Sequence, residues 1–405
     1  MKRASFVSAL CVVLTITLTS AFAQQDDWNG GTGNWSNAAD WSAGEPVGTS
    51  DVKIYSGGSD NVTLDVGSTT INSLTLGGAP DGYTSELTDG GTKQTLTILQ
   101  QLTIGQTGEL IFGGSGSSIT AGTLNNSGTV SVGTGATLNL TNQPGGITDV
   151  VAGSSIGVLG AFTAGANSAL YQLNSVEGTL GLYGQNFSIT PGSGTLTNTG
   201  AFYLDYNPGN ATASNLTING NVNNSGQFYT GYFYGGANTL NITGSLTNSG
   251  TFDVYYSGVA NMGAVNNSGT FAVLGGGATA NIAGDVTNSN SMYTQGGAIN
   301  ITGGLTNSGS FYLYDSGDSA SMQTLSNTGS VSVGTGATLN LTNQPGGITD
   351  VVAGSSIGVL GSLHGGRQQC LVSTEQRGRH GAAVRPELQH DARQRHADQH
   401  GDFLS

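Results

Sequence analysis

The sequence predicts an all-β fold, a parallel β-helix (β-solenoid) with coils of about 20 residues. Three observations predict it. Glycine makes up 68 of the 405 residues, one short phrase recurs along the chain, and the segments between its copies alternate polar and apolar residues. Such alternation, with aromatic and β-branched residues, is typical of β-strands, and no segment shows helical periodicity.

The recurring phrase consists of an apolar residue, a polar residue, Asn, Ser or Thr, and Gly. From Asn198 onward its asparagine returns at spacings of 26, 24, 19, 21, 19 and 20 residues. We expect the phrase to form a turn with positive φ, and its asparagines to stack in a hydrogen-bonded ladder. About 15 coils stacked roughly 4.8 Å apart would make a rod on the order of 70 Å long. A disordered Gly/Ser linker, the alternative, would lack the regular apolar positions.

Residues 1–23 have the layout of a secretory signal peptide. Lys2 and Arg3 precede an apolar run, and Ala21 and Ala23 supply the small residues before the cleavage site. A membrane anchor is the alternative, but the run is shorter than the roughly 20 apolar residues of a spanning helix, and no later stretch reaches that length. We therefore expect export, and a mature chain without a transmembrane helix.

Residues 24–60 form a distinct N-terminal region that holds all three tryptophans, Trp28, Trp35 and Trp41. A solenoid exposes an unpaired strand edge and an open core at its first coil, so this tryptophan-rich region is predicted to be a cap. The solenoid repeats are predicted over residues 61–361. A second interpretation is that Trp35 and Trp41 stack on a sugar ring.

The segment Gly33–Ser42, which reads GNWSNAADWS, together with the Asn-Ser-Gly-Thr-Phe coils after it, resembles secreted bacterial proteins with autotransporter-type β-strand repeats. These are similar to the β-helical passengers of autotransporters and to filamentous haemagglutinin-like adhesins. The resemblance extends from about Asp26 to Leu363. It implies a secreted or cell-surface protein, associated with the outer membrane of a bacterium, that serves in adhesion or as surface structure.

Residues 362–405 are predicted to be a disordered tail translated out of frame. Residues 130–160 and 331–361 are identical, and the similarity stops abruptly after Gly361, where the composition changes to Arg, His and Gln. Codons that encode residues 363–380 can be chosen so that reading one base later gives residues 162–179. The same shift relates residues 384–401 to residues 183–200, with Met in place of Ile189. The alternative is a real basic tail that binds an acidic surface.

The body of the chain lacks most of the side chains that carry chemistry. Between Gln24 and Leu363 the bases are Lys53 and Lys93, against 19 acids, which gives a charge of −17; all five histidines and Cys370 lie after Leu363. This composition argues against nucleic acid as a partner, against Ser–His–Asp and Cys–His catalysis, and against zinc sites. We expect no enzyme activity, no cofactor and no metal site.

The sequence thus predicts an exported, non-enzymatic structural or adhesin-like solenoid that contacts extracellular glycan or a neighbouring solenoid. The alternative is a carbohydrate-binding protein, or a polysaccharide-active β-helix that uses paired carboxylates. The closest acidic pairs along the chain are Asp26 with Asp27 and Asp315 with Asp318.

Overall fold

The computed structural model describes residues 23–78, 82–205, 212–231, 237–343, 356–359, 362–365 and 368–369. All of them lie in one compact unit, Met1–Leu371. The predicted signal peptide, apart from Ala23, and most of the predicted out-of-frame tail lie outside the described residues.

The chain is a parallel β-solenoid, as the sequence predicts, with one 3₁₀ turn at Ala38–Asp40. The first strands are β1 Gln24–Asp27, β2 Thr32–Asn34, β3 Ser50–Ile54, β4 Asp60–Thr63, β5 Ser68–Ile71, β6 Ser73–Leu76, β7 Ser85–Thr88, β8 Thr95–Ile104, β9 Gly108–Phe112, β10 Ser118–Asn126, β11 Thr129–Val132, β12 Thr137–Leu140, β13 Asp149–Val150, β14 Ser155–Val158, β15 Ala161–Ala164, β16 Asn167–Ser168, β17 Ser175–Val176 and β18 Thr179–Leu182. The later strands are β19 Asn186–Ile189, β20 Thr195–Asn198, β21 Ala201–Leu204, β22 Asn215–Ile218, β23 Asn221–Asn224, β24 Gln227–Thr230, β25 Thr239–Ile242, β26 Leu246–Asn248, β27 Thr251–Tyr255, β28 Val259–Met262, β29 Val265–Asn267, β30 Thr270–Leu274, β31 Thr279–Ile282, β32 Val286–Asn288, β33 Ser291–Gln295, β34 Ala298–Ile301, β35 Leu305–Asn307, β36 Ser310–Leu313, β37 Ser319–Met322, β38 Leu325–Asn327, β39 Ser330–Val333, β40 Thr338–Leu341, β41 Ser356–Val359, β42 Ser362–Gly365 and β43 Gln368–Gln369.

These strands form four sheets along the solenoid. Sheet 1 has 15 strands, from β2 to β41; sheet 2 has 10, from β19 to β43; and sheet 3 has nine, from β13 to β38. From β17 to β40 each coil contributes one strand in turn to sheet 3, sheet 1 and sheet 2. An N-terminal sheet of nine strands, β1 to β16, covers the first coils, where the long strands β8 and β10 run across two faces.

The solenoid has about 14 turns of about 22 residues, slightly fewer and longer than predicted. The difference arises because coils outside the stretch from Asn248 to Asn327 are longer, by up to about ten residues. Asn34 pairs with Thr63, 29 positions later, whereas Phe252 pairs with Phe271, 19 positions later. At a strand separation of about 4.8 Å, 14 turns give a length of roughly 65 Å.

A column of large side chains fills the core behind sheet 1. The rings of Phe202 and Phe228 stack with centroids 4.5 Å apart, and the column continues in register through Phe252 and Phe271, each fully buried. Such stacks add to the hydrophobic contribution of each ring because neighbouring coils present the same side chain at the same height.

The predicted asparagine ladder is confirmed. Each amide nitrogen donates to the amide oxygen one coil further along, at 2.7 Å in all six steps. The same nitrogen also donates to a backbone carbonyl, as in the 2.8 Å bond from Asn267 to Ser291, so both of its hydrogens have acceptors inside the protein. The ladder consists of Asn198, Asn224, Asn248, Asn267, Asn288, Asn307 and Asn327.

The prediction of positive φ at the Gly of the recurring phrase is wrong. Gly226 and Gly250, which follow ladder asparagines, are not among the residues with positive φ. Glycine is required there for a different reason: a Cβ at Gly226 would fall against the carbonyl oxygen of Gly200, and one at Gly250 against that of Gly226. The coils approach so closely at this turn that a side chain has no room.

Candidate functional site

The structure buries both tryptophans that the sequence offers for glycan stacking. Trp35 is fully buried and Trp41 is 3% exposed. Trp41 packs edge-on between Trp28 and Trp35, with ring centroids 4.9 and 5.0 Å away, and its indole nitrogen donates to the Trp35 carbonyl at 2.9 Å. These contacts occupy the rings, so they favour the cap interpretation. Stacking on a sugar would need a ring face that is open to solvent.

The tryptophan region covers the first strand edge of the solenoid. Trp41 forms an antiparallel bridge with Trp28, and Ser42 donates its backbone N–H to the carbonyl of Asp27 at 2.8 Å. Asp26, nearly fully buried, accepts the backbone N–H of Ala43 at 3.0 Å, and burial raises the pKa of its carboxyl. The free edge of β1 is thereby blocked, which prevents pairing with another strand.

The acidic pairs of the enzymatic alternative occupy structural positions. The buried carboxylate of Asp318 accepts the backbone N–H groups of Gly296, Gly297 and Asp315 at 2.6, 3.0 and 2.9 Å, while Asp315 itself is exposed. Three N–H donors fix Asp318 as a turn residue.

Another pair of acids was not singled out from the sequence. Glu86 and Glu109 lie opposite each other on neighbouring strands of sheet 1, and the amide of Asn61 donates to Glu86 at 3.2 Å. Burial, and secondarily the charge of Glu109, raise the pKa of Glu86. Every second residue of a strand faces the same side of its sheet, so the alternation predicts that Glu86 and Glu109 both point outward. It does not predict that the two acids lie in register on neighbouring strands.

A buried carboxyl interrupts a row of tyrosines on sheet 1. Asp253 is in register with Tyr229, and the row continues through Ala272 to Tyr293. Asp253 is 6% exposed; its Oδ2 accepts the Tyr255 hydroxyl at 3.1 Å, and its Oδ1 has no hydrogen-bond partner within the described residues. Burial raises the pKa of Asp253 to about 7, although the Tyr255 bond acts in the opposite direction. The sequence gives no sign of this, because alternation predicts an outward and solvated Asp253.

Sheet 2 carries a second asparagine ladder on its outer surface. Asn261 donates to Asn241 at 2.7 Å, Asn281 to Asn261 at 2.9 Å, and Asn300 to Asn281 at 3.0 Å. These side chains are half-buried or exposed. Each ladder bond uses one amide hydrogen, so the other hydrogen and further lone pairs face solvent. The result is a strip of amides in which neighbouring side chains are separated by one coil.

The outer surface of sheet 2 carries no ionisable side chain from β19 to β40. The strand sequences are NFSI, NLTI, TLNI, VANM, TANI, AINI, SASM and TLNL, and the outward positions are Asn, Ser, Thr, Val and Ala in register. The strands of sheet 3 from β20 to β38 are likewise uncharged. These two faces can offer many neutral hydrogen bonds to a repetitive surface.

A polar cleft of about 210 Å³ opens between β10 and β13. Asn125, Asn126 and Gln143 line it with amides, Asp149 with a carboxylate, and Val151 with an apolar side chain that is 39% exposed. The sequence predicts no binding or catalytic role for the residues of this cleft. It contains one signal: residues 124–128, LNNSG, are a copy of the recurring phrase, and the next copy comes only at Asn198, so the coils between them have a different turn.

Two further observations concern metals and membranes. Across the stretches of chain that the structure describes, His, Cys, Asp and Glu nowhere gather in a group of three or more that could hold a metal ion. The same stretches contain no helix of the length and apolarity needed to cross a bilayer.

Comparisons with protein-family models, with curated proteins and with solved structures found no match.

Proposed function

We propose that this chain is an exported, non-enzymatic β-solenoid that works as an extracellular or cell-surface structural protein of the adhesin type. The observation that supports this best is the outer surface of sheet 2, where eight successive strands from β19 to β40 present neutral hydroxyl and amide groups in register. A rigid, repetitive face of this kind is suited to contact another repetitive surface.

The partners proposed are an extracellular glycan or a neighbouring solenoid. Each outward amide or hydroxyl contributes a weak hydrogen bond, because water competes for it. Repetition compensates for this weakness, since many weak contacts on one rigid rod act together as a multivalent surface. The absence of charge on these strands favours neutral partners over polyanions.

Export is tested by expressing the full chain in a Gram-negative bacterium and separating cytoplasm, periplasm, membranes and medium. We expect the chain outside the cytoplasm, with cleavage after Ala23 visible by mass spectrometry. A matched chain without residues 2–23 should stay in the cytoplasm. Retention of both chains in the cytoplasm would contradict the proposed export.

Contact by sheet 2 is tested by sedimenting the purified full chain with insoluble neutral polysaccharides, and by light scattering for self-association. Replacing Asn241 and Asn281 by Asp places two charges on sheet 2, and it should weaken whichever interaction is found. The matched replacement of Thr251 and Ser291 by Asp adds two charges on sheet 1, at the same separation of two strands. Interaction that responds equally to both changes, or no interaction at all, would overturn the assignment to sheet 2.

A carbohydrate-binding or polysaccharide-active role is the second candidate, favoured by the polar cleft beside Asp149. Enzymatic use of carboxylates is tested by incubating the full chain with a panel of polysaccharides. Turnover that Asp315→Ala abolishes would establish an enzyme and contradict the non-enzymatic proposal.

We also propose that residues 362–405 are read out of frame, because one shift relates them to residues 162–200. Resequencing codons 355–410 tests this. A shift of one base that restores the coil sequence after Gly361 is the expected result. Codons 363–401 that do not give residues 162–200 when read one base later would contradict the shift and favour a real tail.

A further inference from the structure

We infer that the cleft between β10 and β13 is a binding site for one pyranose residue of a neutral glycan. This goes beyond the proposed contact by sheet 2, because it assigns a discrete site on a different face. It does not depend on export.

The cleft exists because one face of the solenoid is interrupted. The second half of β10, Thr123–Asn126, pairs with β8 on one side, but β12 continues only the first half of β10 on the other. Sheet 3 begins one coil later, at β13, which pairs onward with β17. On sheet 1 the same coils stay paired through β9, β11 and β14. The opening therefore lies on the face that sheet 3 continues, while sheet 1 stays paired beside it.

Gln143 holds the opening in place. Its amide oxygen accepts the backbone N–H of Leu124 at 3.0 Å, and its amide nitrogen donates to the carbonyl of Gly146 at 2.8 Å. The first of these bonds satisfies a strand-edge group that a neighbouring strand would otherwise bind. Asn126 takes no part in the buried ladder and donates instead to the carbonyl of Ser155 at 3.3 Å. In the next two coils the positions that correspond to the ladder asparagines are Val150 and Val176, which have no amide to continue the ladder.

The lining is chemically suited to a sugar. Asn125 offers an amide donor and acceptor, and the exposed carboxylate of Asp149 is oriented by the hydroxyls of Thr148 at 2.8 Å and Ser175 at 2.6 Å. Each carboxylate oxygen keeps a lone pair for a ligand hydroxyl. The exposed Val151 side chain gives the C–H face of a sugar ring an apolar surface.

Size and charge narrow the ligand class. The cleft of about 210 Å³ is below the roughly 300–1,000 Å³ of clefts for drug-sized ligands, so it suits a single ring. Its lining holds a carboxylate and no cationic side chain, which disfavours phosphate, sulfate and acidic sugars. A neutral polyol can both donate to Asp149 and exchange hydrogen bonds with the amides.

The test is NMR or calorimetric titration of the purified full chain with the methyl glycosides of glucose, galactose, mannose and N-acetylglucosamine. We expect saturable binding of at least one. Asp149→Asn should weaken it about 10-fold, because a hydrogen bond to a charged acceptor is about twice as strong as one to a neutral amide oxygen, and tenfold corresponds to about 1.4 kcal/mol. Asn125→Ala should weaken it several-fold.

Asn266→Ala is the matched control, because Asn266 is an exposed, outward asparagine on sheet 3, away from the cleft. It should leave the affinity unchanged. The inference is overturned by the absence of saturable binding to all four glycosides, by binding that Asp149→Asn does not change, or by saturable binding of tetramethylammonium in place of the sugars. Failure of the sheet 2 assays leaves this titration unaffected, so the two proposals fail separately.

Discussion

The N-terminal coils and the coils from Asn198 onward are built from the same strands but closed in different ways. In the N-terminal coils, individual carboxylates satisfy the turns: Asp60 accepts from Ser56 and Gly31, and Asp89 from Gly91, Gly113 and Gly114. In the later coils asparagine repeats at the same turn of each coil, between sheet 3 and sheet 1, and bonds to its own copies, while a carboxylate such as Asp318 closes another turn. Separate carboxylate contacts at each turn permit coils of unequal length. The asparagine ladder instead requires the same turn geometry in every coil.

This difference indicates which coils tolerate variation in length. The tryptophan cluster and the polar cleft precede Asn198, and the longest coils, of 29 residues, begin before it, at Asn34 and Asn186, while the coils between Asn248 and Asn327 keep spacings of 19 to 21 residues. The two regions also have separate optical signals, because all three tryptophans lie in the first 41 residues. Tryptophan fluorescence therefore reports on the N-terminal coils alone.

The largest expected effect is loss of the buried Trp35 indole from the N-terminal tryptophan cluster. Trp35→Ala removes a fully buried indole and should lower the free energy of unfolding by about 3–5 kcal/mol. In urea unfolding, the fluorescence of Trp28 and Trp41 should change at lower denaturant, while circular dichroism from the later coils persists. Phe252→Ala, a similar loss in the other region, should leave the tryptophan transition nearly unchanged. A single transition that shifts equally in both variants would remove the distinction between the regions.

Asp253 should make the later coils sensitive to pH. Its folded-state pKa of about 7 lies above the ordinary value of 3.8, so the folded state holds the proton more tightly. The free energy of unfolding is therefore highest, as far as Asp253 is concerned, below pH 3.8, and it falls as the pH rises from 3.8 to about 7. Above pH 7 the loss is complete and amounts to about 4 kcal/mol. Asp253→Asn should flatten this profile, measured by urea unfolding at pH 4 to 8.

A residual slope of the same sign is expected in that variant from Asp26 and Glu86, whose pKa values burial also raises. Asp253→Asn with an unchanged pH profile would show that this carboxyl is solvated.

A break in the buried ladder should rank next. Asn267→Ala leaves the amide of Asn248 without its acceptor and Asn288 without its donor, and each buried unsatisfied group costs about 1–3 kcal/mol. We expect a loss on the order of 3 kcal/mol, measured by the circular dichroism transition. Asn126→Ala, outside the ladder, should cost about 1 kcal/mol. Equal losses at the two positions would mean that the ladder adds nothing beyond local bonds.

The smallest effect is expected for the outer ladder on sheet 2. Asn261 donates to Asn241 and accepts from Asn281, but it is only half-buried, so water can replace the missing bonds. Asn261→Ala should cost about 0.5 kcal/mol in the same assay. A loss as large as that of Asn267→Ala would show that this strip is structural rather than a surface for contacts.

The sequence predicts the repetitive part of this molecule well because the same turn sequence recurs in each coil. The parallel solenoid follows from the recurring Asn phrase together with the alternation between its copies, and the asparagine ladder follows from the regular return of the phrase. The reason for the glycine after each asparagine was predicted incorrectly, since close approach between coils involves residues about 20 positions apart.

The cleft and Asp253 escape prediction for a related reason. Whether Gln143 bridges to Leu124, or neighbouring tyrosines cover Asp253, depends on how successive coils lie against one another. A single strand pattern contains no information about such contacts. The interrupted Asn phrase between Asn126 and Asn198 indicates where the regular pattern ends, but not what replaces it.

The central claim is that one continuous buried asparagine ladder organises the later coils. Hydrogen exchange of asparagine side-chain amides, followed by NMR on the full chain, tests it most directly. The amides of Asn224, Asn248, Asn267, Asn288 and Asn307 should exchange slowly and as a group, because both hydrogens have protein acceptors, whereas Asn126 and Asn261 should exchange quickly. Fast exchange of the central ladder amides, at the rate of Asn261, would contradict the claim.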